Sequence, residues 1–563
     1  MPYPDVLNPE LIDRIPIAAR TVLDVGCGSG ALGAEFKRRN PRARYLGIEL
    51  DAQASRLART RLDAVAEVDV EAEPVPFGDT VFDCILYGDV LEHLRDPWAV
   101  LRAQAGRLAP DGVVVICMPN AEHWSFVERL LRGNWDYQPQ GLFDATHLRW
   151  FTPQTTRRAL TQAGLVASDV ATRIFDGAEA ERFTSAMAPA LRALGIDPQA
   201  YLTRAAPLQH VWRAHRTVPE RMQIVSTVLP PVGGVSDVRV TEPMHALATD
   251  AAIVTSVIED FDPGPRPENL PGVFVLHRPR LVGEPGLAQL RRALSAGHVV
   301  VCEFDDNPEY LTNLQHPEVL NFTGVHAVQT TTPALAEVLR RYNPEVAVFP
   351  NAIARVPDVV NHTTPGRQTL FFGGINREGE WPPCLAALNR VAGLVGERLH
   401  FSIVADRGLF DALETPHKSF TPLCDYETYQ GLLARSEICF MPLSETPFNR
   451  CKSDLKFIEA ASFRVTALAS PTVYAGSIAD GETGVLFRDP EELGQRLLRL
   501  IANPEIGRAI ADAARAKVLG ERMLADQVAN RIAWYRSLWA RRAGLHAALA
   551  ARVPALGDLP AGG

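Results

Sequence analysis

The sequence lacks long apolar runs, a net positive charge and paired cysteines, and each absence excludes a class of protein. The most apolar runs, such as Val113 to Cys117, fall far short of the ~18 residues that a membrane span needs. The first residues carry no charged-then-apolar signal pattern. The eight cysteines are scattered without a C-x-x-C pair, so we expect reduced thiols and no metal site. These features predict a cytoplasmic protein without transmembrane segments.

The charge balance argues against a nucleic-acid partner. The formal net charge is -9 over 563 residues, whereas a chain that covers phosphates over a broad surface needs an excess of basic residues. A chain of this length is also too long for one hydrophobic core, and about three or four units are expected. More than one activity in one chain is therefore plausible, and the sequence indicates no oligomeric state.

Short apolar runs alternate with helical stretches along most of the chain, which is typical of parallel strands joined by crossover helices. This alternation of strands and helices is interrupted at the turn-prone Thr217-Val218-Pro219 and again at the Pro- and Thr-rich stretch Pro357 to Gly366. We therefore predict an α/β protein: a Rossmann-like domain over residues 1–219 with a helical insert at about 178–204, then two Rossmann-like lobes over 220–356 and 357–545. Residues 546–563 are expected to form a tail, disordered from Pro554 onward.

A glycine-rich turn marks the first candidate site. The apolar run Thr21 to Val25 leads into Gly26-Cys27-Gly28-Ser29-Gly30, and Glu49 closes the next strand. Glycines there let a ligand approach the backbone, and a carboxylate at the end of the second strand suits the two hydroxyls of a ribose. The same letters contain Gly28-x-Gly30-x-x-Gly33, the nicotinamide-dinucleotide fingerprint, so an oxidoreductase is one alternative.

Other residues favour S-adenosylmethionine over a dinucleotide. Asp24, at the end of the first strand, suits an ammonium group or a bridging water but not a pyrophosphate. Asp69 and Val70 follow a third short strand, where an acid can accept an adenine amino group, and Gly88 ends the fourth. The predicted cofactor-binding residues are Asp24, Gly26, Gly28, Gly30, Glu49, Asp69, Val70 and Gly88.

The runs D-V-G-C-G-S-G, G-I-E-L-D and F-D-C-I-L-Y-G-D-V-L-E-H-L-R-D-P together resemble the class I methyltransferases across residues 21 to 98. The segments Pro119 to Trp124, Gly133 to Tyr137 and Asp144 to Thr152 are similar to a subgroup found in bacterial polysaccharide and natural-product pathways. The resemblance implies S-adenosylmethionine as the cofactor.

Methyl transfer requires alignment of an acceptor and, for a hydroxyl, removal of its proton. His147, His123 and Asp144 lie after the fourth strand and are the candidate catalytic residues of the acceptor side. The alternative for His147, next to the aromatic Trp150, is a structural hydrogen-bonding group.

The second candidate site is marked by lysine, which is rare in this chain. Lys452 and Lys456 are spaced i and i+4, and helical spacing predicts both on one face with Glu459. A lysine neutralises a leaving diphosphate while a carboxylate holds a ribose. Upstream, Gly233-Gly234 between a strand and a helix is suited to an anion. The alternative is an amphipathic helix with a solvated charged face.

The segment Asn449 to Ala461, with Pro350 to Ile353 and Phe372 to Arg377, resembles family 4-like glycosyltransferases of the GT-B fold over residues 221 to 540. Glu459 matches the second glutamate of the E-x7-E motif of that family, whereas Cys451 stands in place of the first. The resemblance implies a nucleotide-sugar donor without a metal and Lys456 as a catalytic cation. The implied donor-binding residues are Gly233, Gly234, Arg377, Lys452, Ser453, Lys456 and Glu459.

The sequence thus predicts a bifunctional enzyme of glycan or glycoconjugate biosynthesis, acting on a small-molecule or glycan acceptor. The alternative, motivated by Cys451, is an active methyltransferase fused to a non-catalytic GT-B module that binds glycans or acts as a scaffold. The basic amphipathic stretch Asp526 to Leu549 is expected to pack on the first GT-B lobe; the alternative is peripheral contact with a membrane that bears a lipid-linked acceptor. Glu303 to Asn307 either face the cleft or cap the next helix, and we favour the cap.

Overall fold

The computed structural model describes residues 7–229, 234–360, 366–375 and 377–557. The chain forms two compact units, of which the first takes residues up to Arg221 together with Ala248–Ala252. The second takes Met222–Leu247 and the chain from Ile253 onward. The return of Ala248–Ala252 to the first unit was not expected, because that segment lies inside the second α/β rhythm. Within the described ranges, no helix is both long and apolar enough to span a membrane.

The first unit is built around one seven-stranded sheet. Its strands are β1 (Thr21–Val25), β2 (Arg44–Ile48), β3 (Ala64–Ala66), β4 (Phe82–Gly88), β5 (Leu108–Pro119), β6 (Val166–Arg173) and β7 (Gln209–His215). The strand order is β3-β2-β1-β4-β5-β7-β6; β1 to β5 are parallel and β7 is antiparallel to both neighbours. The order reverses between β1 and β4, so the carboxyl ends of these strands are where a ligand is expected.

Eight helices surround this sheet in the described part of the unit. They are α1 (Pro9–Ile12), α2 (Ala31–Arg39), α3 (Ala52–Ala58), α4 (Pro97–Ala105), α5 (Trp124–Leu131), α6 (Pro153–Gln162), α7 (Gly177–Ala193) and α8 (Pro198–Ala205). Local chemistry sets their starts: Asp96, Thr152 and Asp197 each accept a first-turn N–H, and a proline follows each of them. Helices α7 and α8 occupy the predicted insert.

The second unit contains two six-stranded parallel sheets. The first sheet has β8 (Met222–Thr227), β9 (Ile253–Ile258), β10 (Gly272–His277), β11 (Val299–Glu303), β12 (Ala327–Thr330) and β13 (Val346–Val348), in the order β13-β12-β11-β10-β8-β9. Its helices are α9 (Glu242–Ala248), which continues a π-helical turn at Asp237–Thr241, α10 (Gly283–Ser295) and α11 (Pro333–Leu339).

The second sheet has β14 (Gln368–Gly373), β15 (Leu399–Val404), β16 (Lys418–Thr421), β17 (Ile438–Met441), β18 (Thr466–Ala469) and β19 (Val485–Leu486), in the order β16-β15-β14-β17-β18-β19. Its helices are α12 (Leu385–Val395), α13 (Arg407–Ala412), α14 (Tyr426–Ala434), α15 (Pro447–Arg450), α16 (Leu455–Ser462), α17 (Pro490–Ala502) and α18 (Pro504–Glu521). Two α/β lobes of this kind in one unit are the GT-B architecture.

The last helices, α19 (Val528–Ala540) and α20 (Arg542–Arg552), return to the first lobe, as the resemblance to GT-B folds implied. The Tyr535 hydroxyl donates to Gln329 at 2.7 Å, and Leu549 and Leu556 are buried in the core of that lobe. The expectation of disorder from Pro554 was wrong for Pro554–Leu556, which form a 3₁₀ turn because Leu556 has an apolar site to fill.

Candidate active sites

The first site is a cradle formed by the turn Gly26 to Gly30 and by Glu49, at the carboxyl ends of β1 and β2. Gly26 has φ +70°, and a Cβ there would lie 2.5 Å from Val90 Cγ2. Gly30 has φ +76°, and a Cβ there would lie 3.1 Å from Ala58 Cα. Only glycine meets both requirements, so the backbone amides of the turn can approach a ligand closely.

The carboxylate of Glu49 closes the cradle and is held there by backbone N–H groups. The N–H groups of Gly28 and Asp51 donate to its two carboxylate oxygens at 2.8 and 2.9 Å. Each oxygen keeps further acceptor capacity, which suits a ligand diol. This arrangement fixes the carboxylate beside the turn before any ligand arrives.

Asp24 differs from the other predicted cofactor residues because another side chain engages it. The Tyr45 hydroxyl donates to Asp24 at 2.9 Å, and burial raises the pKa of Asp24 to about 7. Asp69 is half-buried and accepts the N–H of Glu71, while Val70 lies in the core.

The fourth strand ends at Gly88, which is half-buried, and a Cβ there would lie 3.1 Å from Leu11. The next residue, Asp89, has φ +56°, and Gln209 donates to it at 2.6 Å. Burial raises the pKa of Asp89 to about 6.

Past this strand end, Glu92, His93 and His147 form what we call the acceptor cluster. One ligand atom from each of the three side chains lies within 4.8 Å of the others. The backbone carbonyl of Glu92 accepts the N–H groups of Leu148 and Arg149 at 2.8 and 2.9 Å. These two bonds bring His147 to the 3₁₀ turn at Leu91–His93.

Asp144 reaches this cluster through a threonine. The Thr146 hydroxyl lies 2.6 Å from Asp144 Oδ1 and 2.9 Å from His93 Nδ1. His147 Nδ1 faces the carbonyl of Leu142 at 3.2 Å, which leaves Nε2 for another partner. Burial and His93 lower the pKa of His147, so it is neutral at neutral pH and can accept a proton.

His123 makes none of these contacts in the described part of the chain. Its ring is buried at the start of α5, where it lies 2.8 Å from the Ser125 hydroxyl. Burial lowers the pKa of His123 to about 4. Its contacts are those of a helix cap.

Glu92 and His93 were not among the predicted site residues, although V-L-E-H-L carries them. Glu92 is 2% exposed, and neither carboxylate oxygen has a hydrogen bond among the described residues. Burial and the neighbouring Asp89 raise the pKa of Glu92. A buried carboxylate without a partner is costly. Because two imidazoles stand beside it, the cluster has the ligand types that hold a divalent cation.

In the second unit, the group that we call the donor cleft is Arg377, Lys452, Lys456 and Glu459, because the charges of the other three all act on Lys456. The Lys456 ammonium donates to the carbonyl of Gly373, at the carboxyl end of β14. Burial, and then Arg377, lower the pKa of Lys456 to about 8. Glu459 is buried and accepts the Tyr426 hydroxyl at 2.7 Å.

The prediction that Lys452 shares a helix with Lys456 was wrong. Helix α16 begins only at Leu455. The residue before it, Asp454, ends the turn that follows α15, because the Arg522 guanidinium donates to its two carboxylate oxygens at 2.6 and 2.9 Å. Lys452 lies in that turn, and its ammonium pairs with Asp306 at 2.8 Å.

The same turn carries Cys451 and Ser453. The Cys451 thiol is buried in the core of the first lobe and accepts the Asn307 amide at 3.5 Å. The Asn351 amide donates to the Ser453 hydroxyl at 2.8 Å. Both residues therefore join the two lobes of this unit.

Arg377 differs from the two lysines of the cleft. Its guanidinium makes no hydrogen bond or ion pair within the described ranges. It follows Gly374, whose absent Cβ would lie 2.8 Å from the arginine side chain. Gly234 has φ +85° and packs against the Tyr426 ring, whereas Gly233 lies outside the described residues. An anion in the cleft would thus find Arg377 unpaired.

The expected cap holds for Asn307 of the segment Glu303 to Asn307, but Glu303 itself has another role. Arg239 donates to its two carboxylate oxygens at 2.9 and 3.0 Å, and both side chains are buried. Asn307 caps the following 3₁₀ turn, accepting the N–H of Glu309. Of the two acids between them, Asp305 pairs with Arg278, and Asp306 pairs with Arg278 and Lys452.

Two family models match the chain. One, described as a methyltransferase domain, matches residues 6–169, and one described as glycosyl transferase-like matches residues 384–533. The ubiquinone biosynthesis O-methyltransferase of Neisseria meningitidis serogroup C (strain 053442) is 30% identical over 178 aligned residues, and the match covers 29% of this chain and 72% of that protein.

Similar solved structures include sucrose-phosphate synthase from Thermosynechococcus elongatus, with a TM-score of 0.41, 15% identity and coverage of 57% of this chain and 100% of that one. TarM has a TM-score of 0.37 and 11% identity, with coverage of 47% of this chain. The chain spans 54% of the length of TarM.

Proposed function

This chain belongs to the S-adenosylmethionine-dependent methyltransferases over its N-terminal part and carries a GT-B glycosyltransferase domain behind it, and we propose that it acts on a glycan or glycoconjugate. The methyltransferase half methylates a hydroxyl, for which a sugar hydroxyl is the proposed acceptor. The glycosyltransferase half transfers a sugar from a nucleotide donor. The observation that carries the proposal is that each unit holds its own set of ligand-binding side chains, the cradle with the acceptor cluster and the donor cleft.

In the methyltransferase half, the cradle holds the cofactor and the acceptor cluster receives the hydroxyl. Neutral His147 is the proposed base, because its contact with Leu142 uses Nδ1 and leaves Nε2 to accept a proton. The ring centroid of Trp150 lies 5.5 Å from that of His147 and 6.2 Å from that of Trp135. Trp150 is 38% exposed. These rings offer apolar faces on which an acceptor ring can pack.

A divalent cation fits the acceptor cluster, because the orphaned Glu92 carboxylate and the two imidazoles supply hard and borderline ligands together. Glu92, His93 and His147 would hold it, and with the cation bound His147 Nε2 would be a ligand and would no longer act as the base. Bound there, it would lower the pKa of an acceptor hydroxyl. Thr146 and Asp144 would orient His93 as its outer partners.

Metal binding to the acceptor cluster can be measured after any bound cation has been removed by chelation. Protein treated with EDTA should bind Mn²⁺ or Zn²⁺ in calorimetry, and Glu92→Gln should weaken that binding by at least about tenfold because it removes the buried anionic ligand. His123→Asn is the control, since His123 caps α5 and should leave metal binding unchanged. Equal metal binding by the Glu92→Gln variant and the parent would refute the cation site.

The cradle is tested by Glu49→Gln, which keeps the side-chain volume and removes the charge. S-adenosylhomocysteine should bind this variant about 10- to 100-fold more weakly, because hydrogen bonds from ribose to a carboxylate are charge-assisted. Calorimetry measures the affinity, and Glu67→Gln, which changes an acid paired with Arg59 at the surface, is the control. Stabilisation of the parent by NAD and not by S-adenosylhomocysteine would instead favour an oxidoreductase.

In the glycosyltransferase half, the donor cleft supplies the charges that donor departure needs. Arg377 and Lys456 face the leaving diphosphate, and Glu459 faces the ribose. Lys452 and Ser453 stand at the junction of the lobes, where they contact Asp306 and Asn351. No step in this account requires a metal.

A second candidate function keeps the methyltransferase and makes the GT-B half a glycan-binding or scaffolding module. It is favoured by Cys451, whose thiol is packed into the first lobe and presents no carboxylate to a donor sugar. Hydrolysis of a nucleotide sugar by the purified protein separates the two, because a binding module cannot turn over a donor. Turnover supports the enzyme, and its absence with intact glycan binding supports the module.

A further inference from the structure

We propose that Tyr426 is a positioning residue that aims Glu459 at the donor ribose, an inference that rests on the nucleotide-sugar function proposed above. The Tyr426 hydroxyl donates to Glu459 Oε1 at 2.7 Å. Oε2 has no hydrogen bond in the described part of the chain, and Glu459 as a whole is 3% exposed. One oxygen is thus held by the protein while the other is left for a ligand hydroxyl.

The ring of Tyr426 packs against two neighbours. A Cβ on Gly234 would lie 2.5 Å from Tyr426 Cδ2, so the ring fits only against a glycine. It also stacks on Tyr429, with ring centroids 6.3 Å apart and planes at 20°. These two contacts restrict the ring and keep its hydroxyl at hydrogen-bond distance from Glu459. Sequence motifs for the donor site do not include this residue.

The hydrogen bond also sets the charge of Glu459. Burial raises the pKa of Glu459, whereas the bond from Tyr426 and the charge of Lys456 lower it. The groups that face this carboxylate are Tyr426, Lys456, Glu242, Tyr429, Tyr474 and Cys439. A ribose hydroxyl donates most strongly to the ionised carboxylate. Loss of the tyrosine hydroxyl should raise the pKa of Glu459 further, so ligand affinity should fall away at a higher pH than in the parent.

The test is Tyr426→Phe, which keeps the contacts of the ring with Gly234 and Tyr429 and removes only the hydroxyl. Calorimetry with UDP, GDP and dTDP at about pH 6 and about pH 7.5 compares the variant with the parent. We expect the bound nucleotide to bind about tenfold more weakly at the lower pH and about threefold more weakly at the higher pH. Tyr342→Phe is the control, since Tyr342 packs on Phe322 in the first lobe, and it should bind as the parent does.

A second variant, Glu459→Gln, should bind the nucleotide weakly at both pH values and with little pH dependence. That result would assign the pH dependence of the parent to the Glu459 carboxylate. Parent-like binding by Tyr426→Phe at both values overturns the positioning role while leaving the donor site intact. A loss that is equal at both values overturns it too, because a merely structural tyrosine would act without regard to pH. Absence of nucleotide binding in the parent overturns the donor function itself and this inference with it.

Discussion

Lys456→Met is expected to lower glycosyl transfer by about 10²- to 10³-fold, because it removes the cation that stabilises the departing diphosphate. The ammonium lies at the carboxyl end of β14, where its bond to the Gly373 carbonyl fixes it. Methionine has nearly the same length and leaves no buried cation behind, so the second unit should still fold. The rate of nucleotide-sugar hydrolysis, measured with the donor whose diphosphate stabilises the parent, reports the effect.

The pH dependence of the same site follows from burial. Since the pKa of Lys456 is lowered to about 8, the amine is charged below that value and becomes neutral as the pH rises through it. Diphosphate affinity in the parent should therefore fall as the pH rises above about 8, and the Lys456→Met variant should lack this dependence.

Lys517→Met is the control for both measurements. Lys517 is a part-buried lysine whose ammonium also donates to a backbone carbonyl, that of Ser477 at 2.8 Å, but it lies on α18. It should keep parental hydrolysis and parental pH dependence. Equal losses in the two variants would mean that removal of any partly buried lysine harms the unit, and the proposed role of Lys456 would be wrong.

Local patterns predicted the α/β class and the cradle. The glycine turn and Glu49 are separated by one helix, and the strand-turn-helix geometry that brings them together is encoded within that short stretch. The sequence could not show that Asp24 would be engaged by Tyr45, because that contact depends on how two strands pair.

Contacts between distant segments were the part that could not be predicted. His147 was chosen for its residue type, but its partners Glu92 and His93 emerge only when the backbone of Leu148 and Arg149 docks on the Glu92 carbonyl. In the same way, the i, i+4 spacing of Lys452 and Lys456 assumed one helix. The ion pair of Asp454 with Arg522, from a distant helix end, separates them.

Glu303→Ala is expected to destabilise the second unit by about 3–5 kcal/mol, because it removes one partner of a buried ion pair. The Glu303 and Arg239 side chains are 1% and 2% exposed. Arg239 also donates to the Phe349 carbonyl and to Asn351, and Gln329 donates to Glu303 at 2.7 Å. Alanine would leave the arginine charge buried with neutral acceptors only.

Urea unfolding of the full chain, followed by a probe in the second unit, measures this cost. The control is Glu345→Ala in the same lobe, which breaks the pair with Arg541, whose side chains are 24% and 50% exposed; its cost should stay below about 1 kcal/mol. The double variant Glu303→Met/Arg239→Met should recover much of the loss, because apolar replacement of both partners removes the unpaired charge. A loss in Glu303→Ala no greater than in Glu345→Ala would mean that the buried pair contributes no more than a surface one. The network that ties β11 to the lobe junction at Asn351 would then owe its stability to packing.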